Sequence, residues 1–190
     1  MAPGSQTETL AAVRAEIDNW RWAGIPFFLR SGKRMAASRQ LITLGFHKPP
    51  PRMFPAHTTS TPGGRRNEIA IDFADPGSII TSFLAKEPGA AMKLGAAEMT
   101  FRYTGSFQAA NGLEAYERLI LEAMLGDQSL FTTDASVERL WEISAPLLDN
   151  PPAIQRYAPG SWGPQPALHH LTAPYHWHLP SAEPPAPYKT

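Results

Sequence analysis

IAIDFADPGSIITSF, Ile69 to Phe83, holds two short segments of period-two alternation on either side of a turn. Ile69, Ile71 and Phe73 alternate with polar or small residues, Asp75-Pro76-Gly77 reverses the chain, and Ile79, Thr81 and Phe83 alternate again. That pattern predicts a β-hairpin. Working outward, Ile25 to Leu29 is a compact apolar run after the Ala23-Gly24 break. Leu41, Thr43 and Gly45 alternate with Ile42, Leu44 and Phe46, and Met99, Phe101 and Tyr103 share one face of a further segment, so all three read as strands. The period then changes. Leu113, Tyr116, Leu119, Ile120, Ala123 and Met124 recur at helical spacing up to Gly126, a residue suited to a left-handed cap. Asp134 is suited to cap a second helix, in which Val137, Leu140, Trp141, Leu147 and Leu148 line one side before Asn150-Pro151 stops it. Strands followed by helices, instead of alternating with them, predict an α+β fold with a large, mostly antiparallel sheet and helices on one face. The opening segment stays ambiguous from pattern alone. Leu10, Val13, Ile17 and Trp20 fit a helix, whereas Thr9, Ala11, Val13, Ala15 and Ile17 fit a strand.

The length of 190 residues suits one sizeable core, expected over residues 1–175, with a Pro-rich tail over 176–190. The 20 prolines, about twice the usual frequency, cluster at Pro49–Pro51, at Pro151-Pro152 and through the tail. Residues 48–66, rich in Pro, Thr and Gly, read as a long loop. The composition is that of a folded protein, and no apolar run reaches the roughly 20 residues that span a bilayer. The opening MAPGSQTETL lacks the basic-then-apolar pattern of a signal peptide, and there is no cysteine, so a cytoplasmic location is expected.

The formal net charge is zero, yet no acidic residue lies between Asp18 and Glu68. Arg21, Arg30, Lys33, Arg34, Arg39, Lys48, Arg52, Arg65 and Arg66, nine of the 17 basic residues, fall in that interval. Such asymmetry predicts an anionic ligand. Lys33 is the leading candidate: a lysine after glycine in a loop between strands can reach an anion as a mobile point charge, with Arg30, Arg34 and Arg39 near it in sequence. The plainer reading is a solvated loop lysine. Asp18 beside Asn19 reads either as an acid or base, or as a carboxylate satisfying backbone donors. His169, His170, His176 and His178 match no standard ligand spacing and, among Pro, Tyr and Trp, read as an aromatic tail, so no metal is expected. There is no GxGxxG, Walker A, GxSxG or HExxH motif. Trp20, Trp22, Phe27 and Phe28 sit in apolar runs suited to a core, so nucleic acid is not an expected partner.

The stretch EIDNWRWAGIPFFLRSGKRM from Glu16 resembles the C-terminal part of glucose-6-phosphate dehydrogenases. The resemblance continues, in order, through Asn67-Glu68-Ile69, Glu87-Pro88-Gly89, EAYERLILEAMLGDQSLF from Glu114, WEISAPLLDNP from Trp141 and YAPGSWGP from Tyr157. DNWRWAG, PLLDNP and GSWGP are most similar to actinobacterial members. The resemblance implies that Thr9 to Asn19 is a strand and that the sheet forms a homodimer interface. It implies further that Lys33, in the RSGK motif, contacts glucose 6-phosphate. The family's second basic contact falls at Ser38, which carries no charge, with Arg39 beside it as the substitute. A sugar-contacting glutamine of some relatives falls at Ala74. Of the set that binds a second, structural NADP in some relatives, Arg30 and Arg39 are retained. Asp72, Ser82 and Trp162 stand where basic residues would occur, and no such site is expected.

In that family the Gly-rich NADP fingerprint and the catalytic histidine precede the region resembled. The expectation is therefore a substrate-contacting and dimer-forming domain that acts with an N-terminal dehydrogenase domain. The whole enzyme would oxidise glucose 6-phosphate to 6-phosphogluconolactone with NADP in the pentose phosphate pathway, and this chain alone would be inactive. The alternative is a stand-alone interaction or sugar-phosphate-binding module that kept the fold without the chemistry, for which Ser38, Ala74 and Asp72 speak.

Overall fold

The computed structural model describes residues 5, 7–47, 67–73, 77–103 and 113–177. The long loop at 48–66, Ala74, the Asp75-Pro76 half of the predicted turn, His178 and the rest of the tail lie outside the described residues. Among the described residues there are six strands, β1 (Leu10–Ala15), β2 (Phe27–Gly32), β3 (Leu41–Gly45), β4 (Glu68–Asp72), β5 (Ser78–Lys86) and β6 (Leu94–Arg102), followed by three helices, α1 (Ala115–Leu125), α2 (Asp134–Asp149) and α3 (Gln165–Thr172). The fold is α+β, as the order of periodicities predicted. The described strands pair as a two-stranded sheet, β1-β2, and a four-stranded sheet, β3-β4-β5-β6, both antiparallel. The chain divides into two compact units, residues 38–111 and the remainder.

The unit of residues 38–111 is the four-stranded meander. Its centre is the predicted hairpin, with Ile71 opposite Ile79 and Ile69 opposite Thr81. The same rows continue to Phe101 and Met99 on β6, and to Ile42 and Leu44 on β3, so this face carries a broad apolar row, while Leu41, Ile80, Leu84 and Leu94 fall on the opposite face. The other face buries Ala70 and Ser82. Alternation fixes this division, because a one-residue slip would exchange the two faces. The apolar face is not closed over: Met99 is 62% and Ile42 51% exposed.

In the other unit, β1 pairs with β2 from Leu10↔Gly32 to Ala15↔Phe27, which resolves the opening segment as strand as far as Ala15; Glu16 to Asn19, expected to continue it, lie outside the strand. The turn between them is organised by Asn19, whose side-chain oxygen accepts from Arg21 N (3.1 Å) and Trp22 N (2.9 Å), so Asn19 rather than Asp18 satisfies the backbone donors here. α1 begins with a capping box between Glu114 and Glu117 and ends at Gly126, which is left-handed at φ 71°. Asp127 N then reaches Glu122 O at 3.0 Å. The Asp127 carboxyl accepts from the Ser129 hydroxyl and amide, which hold it below the usual aspartate range. The cap of α2 differs by one residue from expectation. Thr133 Oγ1 accepts from Ser136 N, while Asp134 occupies the first turn, where its charge complements the helix dipole. α2 runs through Pro146 and stops at Asn150 as predicted.

α3 is a correction, since His169 and His170 were read as part of an aromatic tail and instead form its last turn. The helix is anchored on β1's side of the unit by Leu168 and Thr172, both buried, with Thr172 Oγ1 donating to Leu168 O at 3.1 Å. By contrast the apolar stripes of α1 and α2 are present but uncovered: neither helix has a buried residue, and Tyr116, Ile120, Met124, Leu140 and Trp141 are exposed. No described helix is long and apolar enough to cross a membrane.

A Cβ at residue 126 would meet no atom within 4 Å, so its only penalty is the left-handed backbone. Gly126→Ala is accordingly expected to cost about 1 kcal/mol, read as a lower urea midpoint at unchanged slope.

Candidate functional site

Lys33 follows directly on the last residue of β2. Its amide extends the ladder by one bond, Lys33 N to Thr9 O at 2.8 Å, and its side chain is exposed. Glu8, Thr9, Leu10, Ala11, Ser31, Gly32 and Lys33 line an open groove of about 220 Å³ at this end of the strand pair. Gly32 is closely approached: a Cβ there would lie 2.7 Å from Met35 Sδ and 3.3 Å from Leu10 Cδ1, so the Met35 side chain would have to shift to admit one. The chain after Lys33 therefore folds back over the strand end, and Arg34 takes a positive φ of 50° to do so.

That fold-back is held by the segment YAPGSWG, residues 157–163. The Tyr157 hydroxyl lies 2.8 Å from Lys33 O, 3.2 Å from Thr9 O and 3.1 Å from Thr9 Oγ1. Gly160 N donates to Arg34 O (2.9 Å), Ala36 N donates to Ser161 O (3.0 Å), and Met35 and Ser161 form a parallel bridge. The sequence flagged this stretch as a signature without revealing what it grips, because the contacts span more than a hundred residues.

Arg30 is not an anion-reaching partner of Lys33. Its guanidinium lies 5.2 Å from the ring centre of Trp162 and 4.7 Å from that of Trp177, and it donates to Trp162 O at 3.1 Å. Burial lowers its pKa from the ordinary arginine value, although the group stays cationic. Phe28 packs edge-on or tilted against Tyr175 and Trp177, so these C-terminal aromatics form a cluster on β2.

Ser38 and Arg39 belong to the other compact unit. Ser38 is exposed, and Arg39 is committed to Asp72 at 2.8 Å, with the Asp72 side chain only 11% exposed. Arg39 would have to release that carboxylate to take up a phosphate. The positions expected to be basic for a structural NADP are likewise engaged: Asp72 with Arg39, Ser82 with Glu98 (3.2 Å) and Trp162 with Arg30. These residues do not fit a second dinucleotide. Nor do they fit the catalytic one, since a Gly-rich pyrophosphate cradle needs a parallel βαβ unit and both described sheets are antiparallel. No cluster of three or more His, Cys, Asp or Glu able to hold a metal occurs among the described residues. A second groove, about 290 Å³, runs along α2 by Val137, Leu140, Trp141 and Ser144, an apolar lining with no charged group.

The described part is an α+β domain with antiparallel sheets and an exposed lysine at a strand end. Residues 1–178 match the model of the glucose-6-phosphate dehydrogenase C-terminal domain, and the chain belongs to that family. It is 40% identical over 173 residues to glucose-6-phosphate 1-dehydrogenase 2 of Mycobacterium tuberculosis, covering 90% of this chain and 33% of the relative. With the Aggregatibacter actinomycetemcomitans glucose-6-phosphate 1-dehydrogenase it shares 37% identity over 165 residues, covering 85% of this chain and 32% of that one. The crystal structure of the Mycobacterium avium glucose-6-phosphate 1-dehydrogenase superposes with TM-score 0.74 at 32% identity, over 94% of this chain and 37% of that one. A glucose-6-phosphate dehydrogenase in complex with its substrate glucose 6-phosphate gives TM-score 0.75 at 28% identity, over 91% and 35%. The chain thus spans about a third of the length of the relatives it matches.

Arg30→Lys keeps the charge but removes the planar stack. It is expected to cost about 1 kcal/mol in chemical denaturation and to shift tryptophan emission from Trp162 and Trp177.

Proposed function

We propose that this chain is the substrate-contacting and subunit-assembling domain of a glucose-6-phosphate dehydrogenase. In such an enzyme glucose 6-phosphate is oxidised at C1 to 6-phosphogluconolactone, with NADP taking the hydride. The observation that carries the reading is Lys33, the lysine of the RSGK motif, exposed on a fixed strand end in a chain of this family. Its ammonium supplies a point charge with three donors, suited to attracting the dianionic sugar phosphate and fixing its orientation. Hydride transfer needs cofactor, sugar C1 and a general base in contact, and the cofactor site and base are assigned to a separate N-terminal domain. The chain contributes orientation and assembly within cytoplasmic pentose phosphate metabolism.

Assembly is attributed to the uncovered apolar face of the four-stranded sheet. The row from Ile42 and Leu44 on one edge strand, across Ile69, Ile71 and Ile79, to Met99 and Phe101 on the other edge is costly to leave in water and suits a two-fold, self-complementary contact. One observation favours the second reading, a binding module without a catalytic role: uncharged Ser38 beside an Arg39 already neutralised by Asp72.

Titration of the purified chain with glucose 6-phosphate is expected to give weak binding that Lys33→Ala reduces roughly tenfold or more, the loss of one charge-assisted contact. Equal affinity in the variant would count against the substrate role. Light scattering is expected to give a dimer, and Met99→Glu to shift it toward monomer; a wild-type monomer at micromolar concentration would remove the assembly role. A dehydrogenase assay of the chain alone is expected to give no turnover.

A further inference from the structure

We infer that Tyr157 is a positioning residue for Lys33, an assignment that rests on the reading of Lys33 as a sugar-phosphate contact. Lys33 lies one residue beyond the paired part of β2, where a strand end would ordinarily fray, and its side chain adds four rotatable bonds. A cation so mounted gives up much conformational freedom on gripping a phosphate, and fixing its main chain beforehand lowers that loss. Tyr157 does this with one oxygen. Its O–H points between Lys33 O at 2.8 Å and Thr9 O at 3.2 Å, and its oxygen is within reach of the Thr9 hydroxyl at 3.1 Å as acceptor. Thr9 O also accepts from Lys33 N at 2.8 Å. Both backbone polar groups of Lys33 therefore belong to one hydrogen-bonded ring closed by a side chain 124 residues away. The next residue is held by the same segment, through Gly160 N to Arg34 O at 2.9 Å.

Satisfying two carbonyls at a sheet end would be an adequate structural role, so the test must separate the two. Tyr157→Phe removes a single oxygen. In the full chain, amide hydrogen exchange by NMR is expected to accelerate about tenfold or more at Lys33, while mid-strand Leu29 and the amides of α1 exchange as before. The affinity for glucose 6-phosphate is expected to fall several-fold. In a Lys33→Ala background the same change is expected to cost nothing further, because a positioning effect has no target without the ammonium. Unchanged exchange at Lys33, or an equal loss of affinity in both backgrounds, would overturn the assignment. Failure of the underlying reading looks different: Lys33→Ala would then bind glucose 6-phosphate as the wild type does, whatever the exchange at residue 33.

Discussion

The described part of the larger unit depends on one long-range closure, the seating of Tyr157 and the residues after it on the open end of the β1–β2 pair. A two-stranded ribbon is marginal by itself. Here its end is tied off by a hydroxyl shared between Thr9 and Lys33 and by main-chain bonds from Gly160 and Ser161. Its middle is covered by the aromatic cluster that Tyr175 and Trp177 build on Phe28. α3 connects the two and buries its own Leu168 and Thr172. Each of these contacts pairs the opening strands with the last third of the chain.

The basic interval takes on a different meaning once partners are known. Charge asymmetry in sequence pointed to an anion, but two of the five described cations of that interval are engaged within the fold. Arg30 is stacked between two indoles and Arg39 is paired with a nearly buried carboxylate. Lys33, in contrast, is exposed on a rigid base. A cluster of cations in sequence is therefore a poor count of the cations a ligand would meet, and the distinction lies in what faces each group across the fold.

Local pattern carried the fold well where the physics is local. The alternation at Ile69, Ile71, Ile79 and Thr81 fixed the register of the central hairpin, and Gly126 marked a left-handed cap because few other residues tolerate that backbone. The cap of α2 was misjudged by one residue, as Thr133 and Asp134 are both good cappers and only the geometry of Ser136 N separates them. α3 was missed because eight residues give too few turns to display a period, and its histidines and flanking prolines imitate irregular structure. For the site, the RSGK motif pointed to Lys33, directly after Gly32. What approaches it, Met35 and Leu10, and the neutralisation of Arg39 by Asp72 depend on tertiary contacts that no local window contains.

The span of the closure also bears on the order in which the molecule assembles. β1 and β2 are joined by a short connection and lose little chain entropy on meeting, whereas capture of residue 157 closes a loop of more than a hundred residues and repays that loss only with contacts made at the end. The ribbon can therefore form early with Lys33 still on a loose end, and the lysine acquires its fixed base in a later, separately breakable step. A protease that trimmed the chain before Tyr157 would leave a strand pair that is only marginal by itself and would erase the geometry on which the lysine depends.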